Sequence, residues 1–375
     1  MNFKPKRLIL GFIPNNKCNL KCQYCYITQL DKWGKNADEF KYEPNHIVNA
    51  LSVERLGGVS IINLTGQGET LLYSGIVELT HGLLKEGHFV ELVTNAISTK
   101  VIRELLKISA SELDRLEFKI SFHYKELKQR KLLEHFFDNV NLIKQSHASF
   151  TLELMPYDEI ENCIDEINQI CLDRAGAKCH ATIGRKDSAA GRGLLTSHTK
   201  EEYARIWSSL ESTMFEYKME LIDVKRKEFC YAGSWTLYVD FSTGDARQCY
   251  GQPVNQNIFQ NLSKPILFIP VGYHCVQPYC INGHAFLSLG AIPTLLTPTY
   301  TQIRNRVCAD GSEWLSETCK SCFDSKLCEQ NEEYSAIQKF AHTINSPFQF
   351  CFWALKNWKH TKESIKVALL RYKKG

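Results

Sequence analysis

Six short apolar runs alternate with stretches of helical spacing through the first 184 residues, and this alternation constrains the fold more than any other feature. The runs are rich in Val, Ile, Leu and Phe, and they predict strands over 7–13, 59–64, 88–94, 115–121, 149–155 and 179–184. The intervening stretches predict helices over 44–57, 74–86, 99–109, 125–146 and 158–175. Strands that alternate with helices run parallel and are joined by right-handed crossovers. The sequence therefore predicts an α/β fold, a partial (β/α)6 barrel of the TIM type, over residues 1–215.

The composition is that of a soluble globular protein. Of the 375 residues, 44% are apolar and 23% are charged, which excludes a disordered chain. The formal net charge of +4 gives no support for nucleic acid as a partner. The first residues lack the layout of a signal peptide, and the apolar run at 8–13 is too short to cross a membrane. We therefore expect a cytoplasmic protein.

Fifteen cysteines are many for such a chain, and in a reducing compartment they serve as metal ligands, catalytic groups or core residues. Cys18, Cys22 and Cys25 stand in the loop after the first predicted strand, where α/β barrels carry their chemistry. Three thiolates this close in sequence can share one metal centre. A closed zinc site would need a fourth ligand, whereas a 4Fe-4S cluster held by three cysteines leaves one iron open.

The Cys-x3-Cys-x2-Cys spacing, with the aromatic Tyr24 before its last cysteine, resembles the signature of the radical S-adenosylmethionine (SAM) family. The resemblance implies that Cys18, Cys22 and Cys25 hold a 4Fe-4S cluster whose open iron binds the amino and carboxylate groups of SAM. An electron from that cluster would cleave the sulfonium and give a 5′-deoxyadenosyl radical, which removes hydrogen from a substrate. The resemblance also implies a reducing electron donor such as flavodoxin or ferredoxin.

The ends of the later predicted strands match further segments of this family. Residues 65–70 (TGQGET) resemble its Gly-Gly-Glu-Pro segment, with Gln67 for the first glycine and Thr70 for proline, and residues 94–96 (TNA) resemble Thr-Asn-Gly. The resemblance implies a SAM-binding set of Tyr24, Gly66, Gly68, Glu69, Thr94, Asn95, Ser121 and Ile183. For His123, Arg185 and Arg192, near the same strand ends, a structural role and a contact with SAM or substrate both stay open.

After about residue 215 the pattern changes to one with few regular elements. No Asp, Glu, Lys or Arg lies between Lys264 and Arg304, yet five prolines do, which excludes a membrane helix. We predict a second, irregular α+β domain over 216–350. A metal centre would help such a segment to offset its chain entropy.

The cysteines of this second half form two groups. The spacing Cys230-x13-Gly244-x4-Cys249 resembles the opening of the auxiliary-cluster tails, called twitch or SPASM domains, of many radical SAM enzymes, and Gly244 would form a hairpin turn. We predict a second 4Fe-4S cluster whose ligands are Cys230, Cys249, Cys275 and Cys280. Four cysteines would also satisfy zinc, and His274 and His284 stay open as substitute ligands.

A third group resembles the second half of a SPASM domain, and its members are Cys319, Cys322, Cys328 and Cys351. The pattern lacks one cysteine, because position 332 holds a glutamate. A third cluster and thiols without metal therefore both stay open.

Residues 351–375 form a basic tail with a net charge of +6, in which Phe352, Trp353 and Trp358 are interleaved with lysines. This pattern is typical of a docking helix with a solvated basic face. It is also typical of a basic amphipathic element that rests on an anionic membrane surface. Both interpretations stay open.

The leading hypothesis is a radical SAM enzyme that acts on a peptide or a saccharide-type substrate, and peripheral membrane contact through the tail stays open beside the docking helix. Auxiliary clusters would aid electron transfer or anchor the substrate. The competing class is a non-catalytic iron-sulfur electron carrier or a zinc-binding interaction protein. That class would account for the cysteines but would leave the segment from Gly66 to Glu69 unexplained.

Overall fold

The structure is a computed structural model, and it describes residues 3–14, 17–33, 40–187 and 193–344. The predicted tail over 351–375, and with it Cys351, lies outside the described residues, as does Arg192.

Nine strands form one sheet in the order β6-β5-β4-β3-β2-β1-β7-β8-β9. Their bounds are β1 Leu8–Ile13, β2 Ile61–Gly66, β3 Phe89–Thr94, β4 Leu116–Phe122, β5 Ser149–Leu154, β6 His180–Ala181, β7 Thr236–Asp240, β8 Asp245–Arg247 and β9 Gln256–Asn257. The strands β1 to β6 pair in parallel with their neighbours, and β7 pairs in parallel with β1. This is a mixed α/β fold with the parallel sheet of a partial (β/α)6 barrel.

The helices lie between these strands and after them. Their bounds are α1 Tyr26–Gln29, α2 Pro44–Ala50, α3 Val53–Leu56, α4 Ile76–Lys85, α5 Thr99–Leu105, α6 Ala110–Leu113, α7 Tyr124–Gln129, α8 Leu133–Lys144, α9 Ile164–Ala175, α10 Lys200–Trp207, α11 Thr213–Leu221, α12 Gly283–Phe286, α13 Tyr300–Arg304 and α14 Glu317–Asp324. Short 3-10 turns lie at Thr70–Leu72, Asp158–Cys163, Ser208–Leu210 and Leu327–Glu329, and residues 336–344 are also helical. Within the described part of the chain, no helix has both the length and the apolar character needed to span a bilayer.

The six predicted strands are confirmed, because strands buried on both faces appear in sequence as nearly continuous apolar runs. Two predicted helices are each broken in two. The helix predicted over 125–146 is interrupted between α7 and α8, where Lys131 has a φ of +58° that a helix cannot accommodate. The helix predicted over 44–57 separates into α2 and α3 and ends at Gly57, which has a φ of +76°.

The second half of the chain adds strands β7, β8 and β9 to the sheet that the first half forms. Strand β7 lies along β1, and β8 turns back against β7 in an antiparallel hairpin. Gly244 lies in this hairpin with a φ of +81°, and its amide donates to the Asp240 carbonyl at 2.7 Å, which confirms the predicted turn. The predicted boundary at residue 216 falls inside α11, so the domain limits stay predictions.

A charged group fills the centre of the partial barrel. Arg304, at the end of α13, is fully buried, and its Nε and Nη2 lie 2.8 Å from Glu117 Oε1 and 3.0 Å from Glu153 Oε1. Trp314 follows and packs its ring 5.0 Å from that of Phe150. The C-terminal half therefore supplies a cation to the face of β5 that carries Glu153 and an aromatic ring to the opposite face, which carries Phe150.

His180, on β6, makes the stability of this interior dependent on pH. Its Nε2 donates to the Arg304 carbonyl at 3.0 Å and its Nδ1 lies 3.3 Å from Ser212 Oγ, so the neutral ring is held on both sides. Burial, with the nearby Arg306 and Arg304 cations, lowers the pKa of His180 to about 3, against about 6.5 in an unfolded chain. Between these pH values the unfolded state binds the additional proton, so stability is lost as the pH falls.

We therefore expect His180 to lower the free energy of unfolding by about 1.4 kcal/mol per pH unit below pH 6.5. Urea unfolding at pH 7, 6 and 5 of the wild type and of His180→Gln measures this, because the amide keeps a donor and an acceptor without titrating. The difference in stability between the two proteins should shrink by about that amount for each unit of acidification. Equal pH dependence in both proteins would contradict the assignment.

Candidate functional site

The three-cysteine loop leaves the carboxyl end of β1 and is fixed by residues from α7. Glu126 Oε1 accepts the Lys21 amide at 2.9 Å, and Arg130 donates to the Asn19 carbonyl at 3.0 Å. The two side chains also pair with each other, at 2.7 Å. Cys22 is buried beneath the loop, whereas Cys18 and Cys25 are partly exposed. Hydrogen bonds to α7 therefore fix the course of the loop.

The Glu69 carboxylate connects the ends of β2 and β3. It is buried and accepts three hydrogen bonds, from the Thr94 hydroxyl at 2.6 Å, the Asn95 amide at 2.8 Å and the Leu71 amide at 3.0 Å. Burial raises the pKa of Glu69, and these three donors act against that rise. A carboxylate offers about four acceptor positions, so one position is left for a further donor.

Asn95 brings the end of β3 to the cysteine loop. Its side-chain amide lies 2.5 Å from Asn19 Oδ1 and 3.7 Å from Cys18 Sγ. The next residue, Ala96, is fully buried with a φ of +55°, a conformation that favours glycine. This accounts in physical terms for the glycine of the Thr-Asn-Gly segment that residues 94–96 resemble.

The segment after β2 makes a close turn. The Gly66 amide donates to the Thr70 hydroxyl at 2.8 Å, and a Cβ on Gly66 would lie 3.0 Å from the Thr70 backbone nitrogen. Thr70 thus replaces the expected proline with a side chain that closes the turn by a hydrogen bond. The Gln67 carbonyl accepts from the Tyr26 hydroxyl at 2.7 Å, and Gly68 lies half-buried between these anchors.

Tyr24 and His123 form an aromatic wall beside the loop. The Tyr24 hydroxyl is hydrogen-bonded to His123 Nδ1, and its ring lies 4.8 Å from that of Tyr157. Burial lowers the pKa of His123 to about 4, so the ring is neutral at pH 7. In the described part of the chain, Tyr24 contacts His123 and Tyr157. Its contact with SAM stays a prediction.

A cavity of about 280 Å³ opens next to this wall and continues into the barrel. Of the predicted SAM-binding residues, Ser121 and Ile183 line it, and Arg185 lines it as well. Its deeper wall carries charged residues that sequence reasoning missed, namely Glu91, Lys119, Glu153 and Lys218. For Glu91, Lys119 and Glu153 the available signal was the presence of charged residues within the apolar runs of β3, β4 and β5.

The thiols of the loop are held in an apolar setting. Burial raises the pKa of Cys18 to about 11 and also raises the pKa values of Cys22 and Cys25. As free groups at pH 7 they would carry protons, and a bound metal would displace those protons.

The four cysteines of the predicted auxiliary site lie together. Cys230, Cys249, Cys275 and Cys280 line one cavity of about 30 Å³ beside the barrel. Burial raises the pKa of Cys230 to about 12, and the neighbouring Cys275 raises it further. Cys280 also lines the barrel cavity, so the two cavities share a wall.

His274 and His284, which are near these cysteines in sequence, contact other parts of the structure. His274 Nε2 lies 3.3 Å from the Thr343 carbonyl oxygen. His284 lines the barrel cavity, and its buried Nδ1 has no hydrogen-bond partner among the described residues. The described lining of the four-cysteine cavity includes neither histidine.

The third group is spread through the core. Cys319 and Cys322 lie on α14 and are fully buried, and Cys319 Sγ is 3.3 Å from the Asp114 carbonyl oxygen. Cys328 is partly exposed, and Cys351 is outside the described residues. A third cluster stays a prediction.

Close groups of metal-binding side chains are rare in this structure. In the described ranges, one group of at least three such side chains has its ligand atoms within 4.8 Å of one another, and it consists of Asp158, Glu161 and His198.

Residues 12–167 match the model of the Radical SAM superfamily. No curated protein matches the chain. Among solved structures, SuiB of Streptococcus suis bound to S-adenosylmethionine is 17% identical, over 69% of this chain and 64% of that chain, with a TM-score of 0.46. Native anSMEcpe with bound AdoMet is 14% identical, over 96% of this chain and 100% of that chain, with a TM-score of 0.48. BtrN in complex with AdoMet and 2-DOIA is 14% identical, over 70% of this chain and 82% of that chain, with a TM-score of 0.37. The chain thus spans less than two thirds of the length of SuiB.

Proposed function

We propose that this chain is a radical SAM enzyme that abstracts a hydrogen atom from a peptide or saccharide-type substrate. One observation carries the proposal. The three-cysteine loop after β1 meets Glu69 and Asn95 at the carboxyl edge of a parallel sheet, within the residues that match the superfamily model. Loops at this edge are where barrels of this class hold their reactive groups.

The residues present fit a 4Fe-4S cluster held by Cys18, Cys22 and Cys25. A closed zinc site needs four ligands, whereas this loop offers three thiols, with the Asn95 amide 3.7 Å from Cys18 Sγ. This donor set suits a cluster that keeps one iron open. When bound, such a cluster supplies the electron that cleaves the sulfonium of SAM, and its open iron accepts a ligand.

The chain's own residues would bind and orient SAM. The remaining acceptor position of Glu69 suits the SAM ammonium group, because a buried carboxylate needs a positive partner. Asn95 restrains Cys18 through its amide. Ser121 and Ile183 line the adjoining cavity and would contact the ribose and the adenine, and Gly66 and Gly68 allow the close approach.

An auxiliary 4Fe-4S cluster at Cys230, Cys249, Cys275 and Cys280 would complete the site. All four thiols line one small cavity, and Cys280 forms part of the wall that this cavity shares with the barrel. A cluster there would lie beside the substrate cavity, where it can anchor substrate or accept an electron. Flavodoxin or ferredoxin is the proposed electron donor.

Anaerobic reconstitution tests the proposal. With SAM and dithionite the protein should release 5′-deoxyadenosine, which liquid chromatography with mass spectrometry detects. A non-catalytic electron carrier would bind iron and release none, and a zinc-binding interaction protein would retain zinc instead. Either result would overturn the proposal.

We expect Glu69→Gln to weaken SAM binding by about 10- to 100-fold. The substitution removes the charge opposite the ammonium group, and a hydrogen bond to a charged group is worth about 1.5–3 kcal/mol. Equilibrium dialysis of the reconstituted protein with labelled SAM measures the change. Thr94→Val is the matched control, since it deletes a hydrogen bond to Glu69 but keeps the charge, and its effect should be smaller. Equal affinity in Glu69→Gln and wild type would contradict the role of Glu69.

A further inference from the structure

The barrel cavity has one wall whose charges are paired. Lys119 Nζ lies 3.6 Å from Glu91 Oε2 and donates to the Tyr300 hydroxyl at 2.9 Å. Asn63 donates to the same Glu91 oxygen at 2.7 Å. Glu153, also on this cavity, is held by Arg304. Each charge on this side therefore has an opposite charge or a hydrogen bond from the protein.

Three further residues of the cavity lining, Lys218, Arg185 and His284, carry nitrogen groups. Lys218, on α11, is largely buried, and its Nζ donates to the Thr182 hydroxyl. Neither Lys218 nor Arg185 forms an ion pair within the described ranges. Among the described residues, the buried His284 Nδ1 has no hydrogen-bond partner. A buried polar group without a partner is destabilising, and a bound ligand would supply that partner.

The formal charge of the cavity lining is positive. Glu91 and Glu153 oppose Lys119, Lys218 and Arg185, and the pair of Arg304 and Glu117 behind the wall cancels. With Lys218 protonated, one positive charge is left inside a partly enclosed space, where charges interact more strongly than in water.

The pKa values of the same groups reflect this excess. Burial lowers the pKa of Lys218 to about 7, and although Glu153 raises it, Arg185 and Lys119 lower it further. Burial lowers the pKa of His284, and the nearby Lys218, Lys119, Arg304 and Arg185 all act in the same direction. Lys218, Arg185 and His284 are therefore close enough for the charge of one to shift the pKa of another.

We propose that Lys218, Arg185 and His284 form a subsite that binds an anionic oxygen group of the substrate, a carboxylate or a phosphate. The inference rests on the proposed function and narrows its substrate class to one that presents such a group. An anion would supply the missing charge for Lys218 and Arg185 and a hydrogen-bond partner for His284. The cavity, at about 280 Å³, is near the lower limit of ligand pockets, so only a small part of the substrate enters it.

Calorimetric titration of the reconstituted protein tests this subsite. Saturating SAM is present throughout, so that the carboxylate of SAM already occupies its own site. The probes are malonate, inorganic phosphate, neutral glucose and the dication 1,4-diaminobutane. We expect malonate, phosphate or both to bind at millimolar concentration, and the neutral and cationic probes not to bind. Comparing the affinities for malonate and for phosphate distinguishes a carboxylate from a phosphate group on the substrate.

The variant Lys218→Gln should weaken anion binding at least 10-fold, and Lys218→Arg should restore most of it. Lys107→Gln is the matched control, because Lys107 is exposed and lies outside the cavity lining, and it should bind the anions as the wild type does. Wild-type affinity in Lys218→Gln, binding of neither anion, or binding of the dication instead would overturn the subsite.

Iron content and 5′-deoxyadenosine release are measured on the same samples. Anion binding that depends on Lys218 in a protein that does not cleave SAM would refute the proposed function and leave the subsite standing. SAM cleavage without anion binding would refute only the subsite.

Discussion

Replacing Arg304 with methionine is expected to lower the free energy of unfolding by about 3–5 kcal/mol, the largest stability effect that we anticipate for a single substitution in this chain. The guanidinium is fully buried and pairs with Glu117 and Glu153. Without it these carboxylates lose their buried cation, and Glu117 is itself completely buried. A buried charge without a partner costs far more than the pair contributes.

Arg174→Met is the matched control for this substitution. Arg174 also pairs with two carboxylates, Glu134 at 2.5 Å and Asp138 at 3.3 Å, but both of these are exposed. Exposed pairs contribute about 0–1 kcal/mol, so urea unfolding should show a small loss for this variant. Adding Glu117→Gln to Arg304→Met should recover part of the lost stability. Equal losses in Arg304→Met and Arg174→Met would contradict the role of the buried charge network.

The second large effect concerns iron. In the triple variant Cys18→Ala, Cys22→Ala, Cys25→Ala, iron content should fall from about eight to about four per chain, because one four-iron cluster is lost and the auxiliary cluster stays. Release of 5′-deoxyadenosine should fall below detection. Iron and sulfide analysis, together with chromatography of the reaction mixture, measures both.

A matched triple variant separates metal loss from general damage. Alanine at Cys163, Cys171 and Cys179 changes the same number of thiols outside the predicted cluster sites, and its iron content should equal that of the wild type. A wild type with about twelve irons would add the third group as a ligand set. Zinc in place of iron, or unchanged iron in the variant that lacks Cys18, Cys22 and Cys25, would contradict the cluster assignment.

The six parallel strands could be predicted from sequence because burial on both faces requires nearly continuous apolar runs. The cysteine loop could be predicted because its ligands are close in sequence. The charge network could not, because Arg304 lies 187 residues from Glu117 and no local pattern relates them. The same limit applies to Lys218, because the sequence of its helix gives no sign that its single lysine lines the cavity.

Short breaks in regular structure were also beyond prediction. Lys131 and Ala96 adopt positive φ values although neither is a residue that favours them. The surrounding structure enforces these conformations. At Ala96, for example, the carbonyl accepts a hydrogen bond from Asn139 at 2.8 Å.

The pairing of β1 with β7 has a consequence for how this protein folds and can be divided. Strand β1 has β2 on one side and β7 on the other, and β7 comes from beyond residue 235. A fragment that ended at residue 215 would leave one margin of β1 with unpaired amides and carbonyls, which recruit strands from other molecules and promote aggregation. During synthesis β1 is made first, and β7 follows more than two hundred residues later. The edge of β1 that pairs with β7 therefore stays unpaired for most of synthesis. The two halves are thus bound into one cooperative folding unit by their earliest and one of their later strands.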